Sequence, residues 1–419
     1  MGGPRAQLAA LVALAACAAP ASSSTADELQ FVASAVRGGR IDEAMERVAA
    51  LRLRDPRSVE VLEWSAWLGE ATWRDDDALS AWRVVQANAP QPELRQRAAG
   101  RIGDLLFRLG RYAECPAVLR DGAVVEDGER RRAFAALTAW LPGQRTPEGP
   151  LLVEQALPPG AMPELVCSSM ATSRPFAIDT GTSMTTLARS FAAELAVLGL
   201  QPAGRALDGV GRSMAIEAGV LPAFVLGGIG VGAVPVLVVD DTAMQLRDLH
   251  GGVDRVPRGV LGLDLLATCR LTLDPERGSV VLELPRSLPL DESVACVRVD
   301  GRCLVPLFVE DARMWFVLDT GASHSSLTEA GLLRLAGGAE RATPSAHRVR
   351  TVGGAVVSVR EVRDLVLRCS AVRFLGVDLP VVARADSGPF PVHGVLGVDL
   401  LRRCRMTLDR GRLRLQAVR

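Results

Sequence analysis

The chain has 419 residues, of which 48% are hydrophobic and 23% are charged. This length and composition allow two or three domains with packed cores and exclude a largely disordered protein. Basic and acidic residues number 48 each, so the whole-chain charge gives no reason to expect binding to nucleic acid or to an anionic surface. We therefore predict no nucleic-acid partner.

The N-terminal residues predict an export signal. Arg5 precedes an apolar stretch from Leu8 to Ala16, which is too short to span a bilayer as a helix. The stretch ends at Cys17 and resembles the lipobox of bacterial lipoproteins, where cleavage before the cysteine leaves a lipidated N-terminus. An ordinary signal peptide cleaved after Ala21 is the alternative. The resemblance implies an exported, periplasmic protein with lipid on Cys17, which touches a membrane only through that lipid.

The next part of the chain predicts helices. It is rich in Ala, Leu, Arg and Glu and lacks the alternation of strands. Ala44 and Ala78, like Pro56 and Pro90, are separated by 34 residues. This period resembles tetratricopeptide repeats, whose paired helices pack an alanine at their close approach and end on a proline. Both a helical array without a ligand and a working groove for a protein partner fit this pattern.

The C-terminal part of the chain contains an internal duplication. The tripeptide Asp-Thr-Gly begins at Asp179 and again at Asp319. Each copy is followed by an apolar-apolar-Gly segment, at 260–262 and at 395–397. The sequence between these motifs consists of short Val, Leu and Ile runs interrupted by glycine, which is typical of an all-β region. We therefore predict two related β lobes with one carboxylate in each.

These patterns predict a multidomain protein, with an all-α helical-repeat domain of tetratricopeptide type followed by an all-β, two-lobe region. The predicted divisions are a signal peptide 1–16, a tether 17–26, the helical domain 27–140, a linker 141–150, lobe one 151–285, a connection 286–293 and lobe two 294–419. One helix is predicted in each lobe, over Leu187–Leu198 and over Leu327–Leu335. A hairpin is predicted to turn at Asp300-Gly301.

Two carboxylates on equivalent loops of a two-fold fold can meet at its axis. When they are held close together they cannot both ionise easily, so they share one proton. One carboxylate can then deprotonate a water while the other protonates the carbonyl oxygen that the water attacks. Asp179 and Asp319 are thus the candidate catalytic residues. This chemistry requires no metal and no cofactor.

The two lobes resemble the halves of an aspartic peptidase of the pepsin and retropepsin group. The pattern hydrophobic-Asp-Thr-Gly-x-Ser occurs at 178–183 and at 318–323, and the later apolar-apolar-Gly segments match the strand that runs beneath the catalytic loop in this group. The resemblance implies two acid-protease barrels, a polypeptide substrate, endopeptidase activity and glycine-rich flaps over the substrate. Because both lobes lie in one chain, we expect a monomer.

The residues that the resemblance marks support the catalytic loops or lie in the flaps. The supporting residues are Thr180, Gly181, Thr182, Ser183, Thr320, Gly321, Ala322 and Ser323. The flap candidates are Gly209, Gly211, Gly353 and Gly354. The only tyrosine, Tyr112, lies in the helical region, so a flap tyrosine of the pepsin type is missing.

The two catalytic loops differ at one position. Thr182 follows the first Asp-Thr-Gly, whereas Ala322 follows the second. A hydroxyl at this position can donate a hydrogen bond to a carboxylate and favour its ionised form, whereas a methyl group cannot. We therefore predict that Asp179 is more often ionised and that Asp319 more often carries the proton.

Other polar residues of the lobes are predicted to be structural. We expect Asp264 and Asp399 to anchor loops, and Asp274 and Asp409 to be turn residues. His324 and His393 are expected to be solvated loop residues, and a role in supporting the neighbouring loops is the alternative. The four histidines share no ligand spacing, so no metal site is predicted.

A second class of function also fits the sequence. The helical array could recruit a partner, and the β lobes could form a peptide-binding module without activity, giving an exported interaction protein. The retention of both aspartates argues against this alternative.

Overall fold

The structure is a computed structural model that describes residues 24–122, 128–141, 148–150, 152–157, 162–207, 213–244, 257–284, 293–350, 356–382 and 390–418. The predicted signal peptide, Cys17 and the flap candidates Gly209, Gly211, Gly353 and Gly354 lie outside these ranges. Across the described ranges, no helix has the length and apolarity needed to cross a membrane.

The N-terminal part of the described chain is helical. Its helices are α1 (Thr25–Arg37), α2 (Ile41–Arg54), α3 (Val59–Ala71), α4 (Asp75–Asn88), α5 (Pro92–Arg108), α6 (Cys115–Gly122) and α7 (Gly128–Thr138). Helix α1 begins at Thr25 because Ser24 and Asp27 form a capping box, in which each side chain accepts a hydrogen bond from the other residue's backbone amide.

The helices follow the predicted period. The starts of α1 and α3 are 34 residues apart, as are those of α2 and α4. Ala44 and Ala78 occupy equivalent positions on α2 and α4, and both are fully buried. The helical content of this region is confirmed, whereas its assignment to tetratricopeptide repeats stays a prediction.

Lobe one is built on a seven-stranded sheet. The elements of this part of the chain are β1 (Leu152–Ala156), β2 (Glu164–Ser169), β3 (Thr172–Ile178), β4 (Thr186–Ala188), α8 (Arg189–Glu194), β5 (Leu198–Leu207), β6 (Ser213–Leu226), β7 (Ile229–Val239), β8 (Gly259–Leu261), α9 (Leu263–Leu266), β9 (Arg270–Asp274) and β10 (Ser279–Glu283). The sheet order is β2-β3-β8-β4-β7-β6-β5, and a further pairing of β2 with β6 closes the lobe.

Lobe two repeats this plan. Its elements are β11 (Val294–Ala295), β12 (Val297–Val299), β13 (Arg302–Val309), β14 (Ala312–Leu318), β15 (Ser326–Leu327), α10 (Glu329–Arg334), α11 (Gly338–Arg341), β16 (Thr343–Arg350), β17 (Val356–Cys369), β18 (Val372–Val381), β19 (Gly394–Leu396), α12 (Val398–Leu401), β20 (Cys404–Asp409) and β21 (Arg412–Ala417). The sheet order is β12-β13-β14-β19-β15-β18-β17-β16, and β13 also pairs with β17.

The helices predicted in the lobes are shorter than expected. Within Leu187–Leu198 only α8 is helical, and within Leu327–Leu335 only α10 is helical, because the residues at the start of each range, Leu187 and Leu327, pair as strands. The short helices α9, α11 and α12 were not predicted. Helices of four residues are too short to produce a helical period in the sequence.

The hairpin predicted at Asp300-Gly301 is confirmed. Strands β12 and β13 pair antiparallel, with Val299 opposite Arg302. Asp300 and Gly301 have φ values of 49° and 72°, and two left-handed central residues are characteristic of the turn that matches the twist of paired strands.

A third sheet joins the two lobes. Its order is β1-β10-β9-β20-β21-β11, so three strands of lobe one are followed by three strands of lobe two, and the equivalent strands β9 and β20 pair at its centre. Thr272 of β9 lies opposite Thr407 of β20, and their hydroxyl oxygens are 3.1 Å apart. These two threonines occupy the same position in the duplicated sequence. The approximate two-fold axis between the lobes therefore passes through this pair.

Asp409 borders the turn at Arg410-Gly411, as predicted, and also makes a contact in this sheet that was not predicted. Asp409 is buried and contacts Arg270 of the other lobe, with 2.6 Å between Nη2 and Oδ2. Asp274 makes the reciprocal contact with Arg405 at 3.4 Å, although it also accepts from the amide of Arg277 as a turn residue would. Reciprocal ion pairs of this kind follow from the two-fold arrangement, because equivalent residues of the two repeats exchange partners.

The helical domain packs on both lobes. On lobe two, the indole of Trp315 donates to the carbonyl oxygen of Gly39 at 3.0 Å, and the buried Arg298 contacts Asp75. On lobe one, the side-chain amide of Gln201 in β5 donates to the carbonyl oxygen of Ala133 in α7 at 2.9 Å. The α-helical and β regions therefore form one continuous packed molecule.

Candidate active site

Each Asp-Thr-Gly loop begins where a buried strand ends. Asp179 follows β3 and Asp319 follows β14. The adjacent parallel strand is the predicted apolar-apolar-Gly element in each lobe, β8 beside β3 and β19 beside β14. The amide of Asp179 donates to Leu261 O at 3.1 Å, and the amide of Asp319 donates to Leu396 O at 3.0 Å. Equivalent strands therefore hold the two loops in equivalent positions.

Two threonines join the loops across the axis between the lobes. Thr180 Oγ1 accepts from the amide of Thr320 at 3.1 Å and donates to Leu318 O at 2.8 Å. Thr320 Oγ1 accepts from the amide of Thr180 at 3.1 Å and donates to Ile178 O at 2.7 Å. Both threonines are fully buried, so each hydroxyl satisfies a backbone donor and a backbone acceptor of the opposite lobe.

The loops approach so closely that only glycine fits after the threonines. A Cβ atom at Gly181 would collide with the carboxyl group of Asp319, and one at Gly321 would collide with that of Asp179. The amide of Gly181 donates to Asp179 Oδ1 at 2.8 Å, and that of Gly321 donates to Asp319 Oδ1 at 3.0 Å. The two half-buried carboxyl groups therefore face each other across the axis.

The electrostatics of the pair favour a proton on Asp319. Burial raises the pKa of Asp319 well above its ordinary value, and the charge and hydrogen bond of the facing Asp179 raise it further. Hydrogen bonds from the amides of Gly321 and Ala322 act in the opposite direction and are weaker. The environment of Asp319 therefore favours its protonated form.

The predicted difference between the loops is present in the structure. Thr182 Oγ1 donates to Asp179 Oδ2 at 2.7 Å. In lobe two the corresponding donor is the backbone amide of Ala322, which lies 2.9 Å from Asp319 Oδ1. Each carboxyl group thus accepts two hydrogen bonds from its own loop, and the loops differ in the donor, because only Asp179 accepts from a side-chain hydroxyl.

We expect Thr182→Ala to shift the acidic limb of a kcat/KM–pH profile upward and Ala322→Ser to shift it downward. A hydrogen bond to a charged group contributes about 1.5–3 kcal/mol, which corresponds to roughly one to two pH units. Losing it favours protonation of the base, so the active form is reached only at higher pH. Ser323→Ala is the control, because Ser323 is exposed. Identical profiles for Thr182→Ala and the control would contradict the prediction.

The remaining candidate residues are less closely involved. Ser183 and Ser323 are exposed, and their described contacts do not include the carboxyl group of Asp179 or that of Asp319. The flap glycines lie outside the described residues. The strands on either side of these segments pair as antiparallel hairpins, with Leu207 opposite Ser213 and Arg350 opposite Val356.

Asp264 and Asp399 anchor loops, as predicted. Each accepts hydrogen bonds from a residue that the sequence analysis missed, namely Thr185 and Ser325. The available signal was their spacing, because both hydroxyl residues stand six positions after the aspartate of an Asp-Thr-Gly.

The prediction for His393 was wrong. Its side chain is buried, and its Nδ1 accepts from the amide of Trp315 at 2.9 Å. Burial and the charge of Arg334 lower the pKa of His393 to about 4, so the imidazole is neutral. His324, in contrast, is exposed.

The family model of the aspartyl proteases matches residues 172–265 and 305–400, one segment in each lobe. Both lobes are similar to aspartyl proteases. The matched segments contain both Asp-Thr-Gly loops and both glycine-terminated strands, which are the parts of the candidate site described above. The helical domain lies outside them. The match supports a hydrolase of the aspartyl protease type.

Two solved structures resemble the chain at low similarity. A retropepsin-like aspartic protease from Rickettsia conorii is 23% identical, with a TM-score of 0.23, over 29% of this chain and 87% of that one. Basic 7S globulin from soybean is 13% identical, with a TM-score of 0.35, over 65% of this chain and 94% of that one. No curated protein sequence matches the chain.

Proposed function

We propose that the protein is an aspartic endopeptidase that hydrolyses peptide bonds with Asp179 and Asp319. The single observation that supports this most is the facing pair of carboxyl groups on loops joined through Thr180 and Thr320. The raised pKa of Asp319 gives the pair one acid and one base without any further group.

In the proposed reaction a water between the carboxyl groups attacks the substrate carbonyl carbon. Asp179 takes a proton from this water while Asp319 gives its proton to the carbonyl oxygen, forming a neutral tetrahedral diol. Asp179 then passes its proton to the amide nitrogen, and the carbon–nitrogen bond breaks. One hydroxyl proton of the diol returns to Asp319, so the pair is restored to its starting state.

The test is cleavage of an unbiased peptide mixture by the full-length protein, with the double variant Asp179→Asn, Asp319→Asn as the inactive comparison. We expect new peptide termini only with the wild type, over roughly pH 3–7 and in the presence of a metal chelator. Equal cleavage by the double variant would assign it to a contaminant. Tight binding without cleavage by the wild type would instead favour the peptide-binding interpretation.

We also propose that the protein is exported to the periplasm, tethered by lipid on Cys17, and active as a monomer. This proposal rests on the apolar stretch that ends at Cys17 and on the presence of both catalytic loops in one chain. In the same proposal the helical domain is the site at which a protein partner would bind.

Cys17→Ser is expected to release the protein from the membrane fraction and to leave its precursor unprocessed, because the lipid is attached to the cysteine thiol. The measurement is fractionation of cells with incorporation of a labelled fatty acid. Unchanged membrane association and unchanged processing in the variant would support the ordinary signal peptide instead.

A further inference from the structure

A carboxylate lies directly behind each catalytic loop. Asp264 is in α9 and Asp399 is in α12, the short helices that follow the glycine-terminated strands β8 and β19. Neither residue contacts the facing pair of carboxyl groups in the described bonds. They are connected to the catalytic aspartates through hydrogen bonds to the loop that follows each aspartate.

In lobe one the link runs through Thr185. Asp264 Oδ1 accepts from the amide of Thr185 at 2.8 Å and from its hydroxyl at 2.9 Å. The same hydroxyl accepts from the amide of Gly262 at 3.2 Å. Thr185 is fully buried, so these bonds fix both its backbone and its side chain.

Lobe two repeats the arrangement with serine. Asp399 Oδ1 accepts from the amide of Ser325 at 2.8 Å and from its hydroxyl at 2.7 Å. That hydroxyl accepts from the amide of Gly397 at 2.9 Å. Both lobes therefore have the same hydrogen bonds, although the hydroxyl residue is threonine in one and serine in the other.

The helices also hold the first residue after each Asp-Thr-Gly. The amide of Leu263 donates to Thr182 O at 2.9 Å, and the amide of Val398 donates to Ala322 O at 2.9 Å. A Cβ atom at Gly262 would collide with the backbone of Met184, so strand and loop are in direct contact. The segment after each catalytic aspartate is thus held at both ends, at 182 and 185 in lobe one and at 322 and 325 in lobe two.

We infer that Asp264 and Asp399 are positioning residues, each fixing the loop that orients the catalytic carboxyl group of its own lobe. This inference rests on the proposed peptidase function. The consequences differ between the lobes. In lobe one the fixed segment carries the Thr182 hydroxyl that bonds Asp179, whereas in lobe two it carries Ala322, which has none.

Asp264→Ala and Asp399→Ala are expected to lower kcat by about 10- to 100-fold with a much smaller change in KM, because small misplacements of reacting groups carry costs of this size. Asp264→Asn and Asp399→Asn should recover most of the activity, since an amide oxygen accepts the same two hydrogen bonds. Thr185→Val retains the amide bond and should show a smaller loss in the same direction, which provides a test if an alanine variant fails to fold.

Asp240→Ala is the matched control. Asp240 Oδ1 accepts from the amide of Thr242 at 2.9 Å and from its hydroxyl at 2.6 Å, which are the same two bonds in the same lobe. Asp240 is exposed and follows β7, and its two bonds to Thr242 involve neither Asp-Thr-Gly loop. The inference would be overturned if Asp264→Ala and Asp399→Ala lost no more kcat than this control. It would also be overturned if the asparagine variants were as inactive as the alanine variants.

A second measurement separates positioning from simple stabilisation. Of the elements packed around Asp179, the facing loop contributes the ionisable Asp319, α9 contributes Asp264, and β8 contributes none. Asp264→Ala should shift the acidic limb of the pH–rate profile upward, as expected for Thr182→Ala, because the hydroxyl of Thr182 loses its fixed position. Asp399→Ala should leave the limb in place. Equal shifts in both variants would contradict a lobe-specific role.

Carbon-13 NMR of the full chain labelled at its aspartate carboxyl groups gives a readout that does not depend on turnover. The Asp179 signal is assigned with Asp179→Asn. The inference is supported if the titration of this signal changes in Asp264→Ala and does not change in Asp399→Ala. This result would support it even if the wild type cleaved no peptide, in which case only the proposed function would fail. Active wild-type enzyme with unchanged titrations in both variants would overturn the inference alone.

Discussion

Asp319→Asn is expected to lower kcat for peptide cleavage by at least about 10³-fold while leaving the protein at least as stable at pH 7. A positioned general acid contributes roughly 10²–10⁴-fold to a rate, and asparagine cannot donate the required proton. The raised pKa of Asp319 means that the folded state favours its protonated form. This preference contributes to the free energy of unfolding at a pH below the pKa of Asp319 in the unfolded chain. The contribution is lost as the pH rises through the pKa of Asp319 in the folded protein.

At neutral pH Asp319 is ionised in the unfolded chain and must take up a proton on folding, and a neutral asparagine removes this cost. The measurements are single-turnover cleavage and thermal unfolding at pH 7 and at acidic pH. Asp179→Asn is the matched variant, because it removes the base and also removes the charge that raises the pKa of Asp319. An Asp319→Asn enzyme that kept a tenth of the activity would exclude this residue as the acid.

Thr180→Val is expected to destabilise the protein by about 2–5 kcal/mol, because it leaves two buried backbone groups of lobe two without partners. These groups are the amide of Thr320 and the carbonyl of Leu318. Valine has nearly the shape of threonine, so the change removes the hydrogen bonds with little change in packing. We also expect kcat to fall, since the two loops are no longer joined from that side.

Thr180→Ser is the control for this prediction, because serine keeps both hydrogen bonds and removes only a methyl group. Urea unfolding followed by tryptophan fluorescence measures the loss of stability, and kcat measures the loss of loop alignment. Thr320→Val should behave like Thr180→Val, since the two residues make reciprocal bonds. A valine variant with the stability and activity of the serine variant would show that the hydroxyls do not hold the lobes together.

The candidate site could be predicted from the sequence because it depends on the duplication. A repeated motif with equivalent flanking strands predicts a two-fold arrangement, and a two-fold arrangement brings equivalent residues together. Asp179, Asp319 and the two threonines follow directly from this reasoning. The hydrogen bond of Thr182 could be predicted for a related reason, because it depends on a side chain three positions from its acceptor.

Features that depend on contacts between distant, unrelated segments could not be predicted. His393 was expected to be solvated, yet its ring lies under the chain at Trp315, far away in sequence. The docking of the helical domain depends on contacts such as that between Trp315 and Gly39, which leave no periodic signal in either segment. The contact of Asp409 with Arg270 was missed because the duplication was considered one lobe at a time.

The difference between Thr182 and Ala322 has a consequence for how such a site can change over generations. In an assembly of two identical chains, a single codon change alters both halves of the catalytic pair at once. Here the halves are encoded separately, so a substitution can act on one carboxyl group and spare the other. Thr182 and Ala322 are an instance of such separate change. The presence of both lobes in one chain therefore allows the surroundings of the two facing carboxyl groups to be changed independently by mutation.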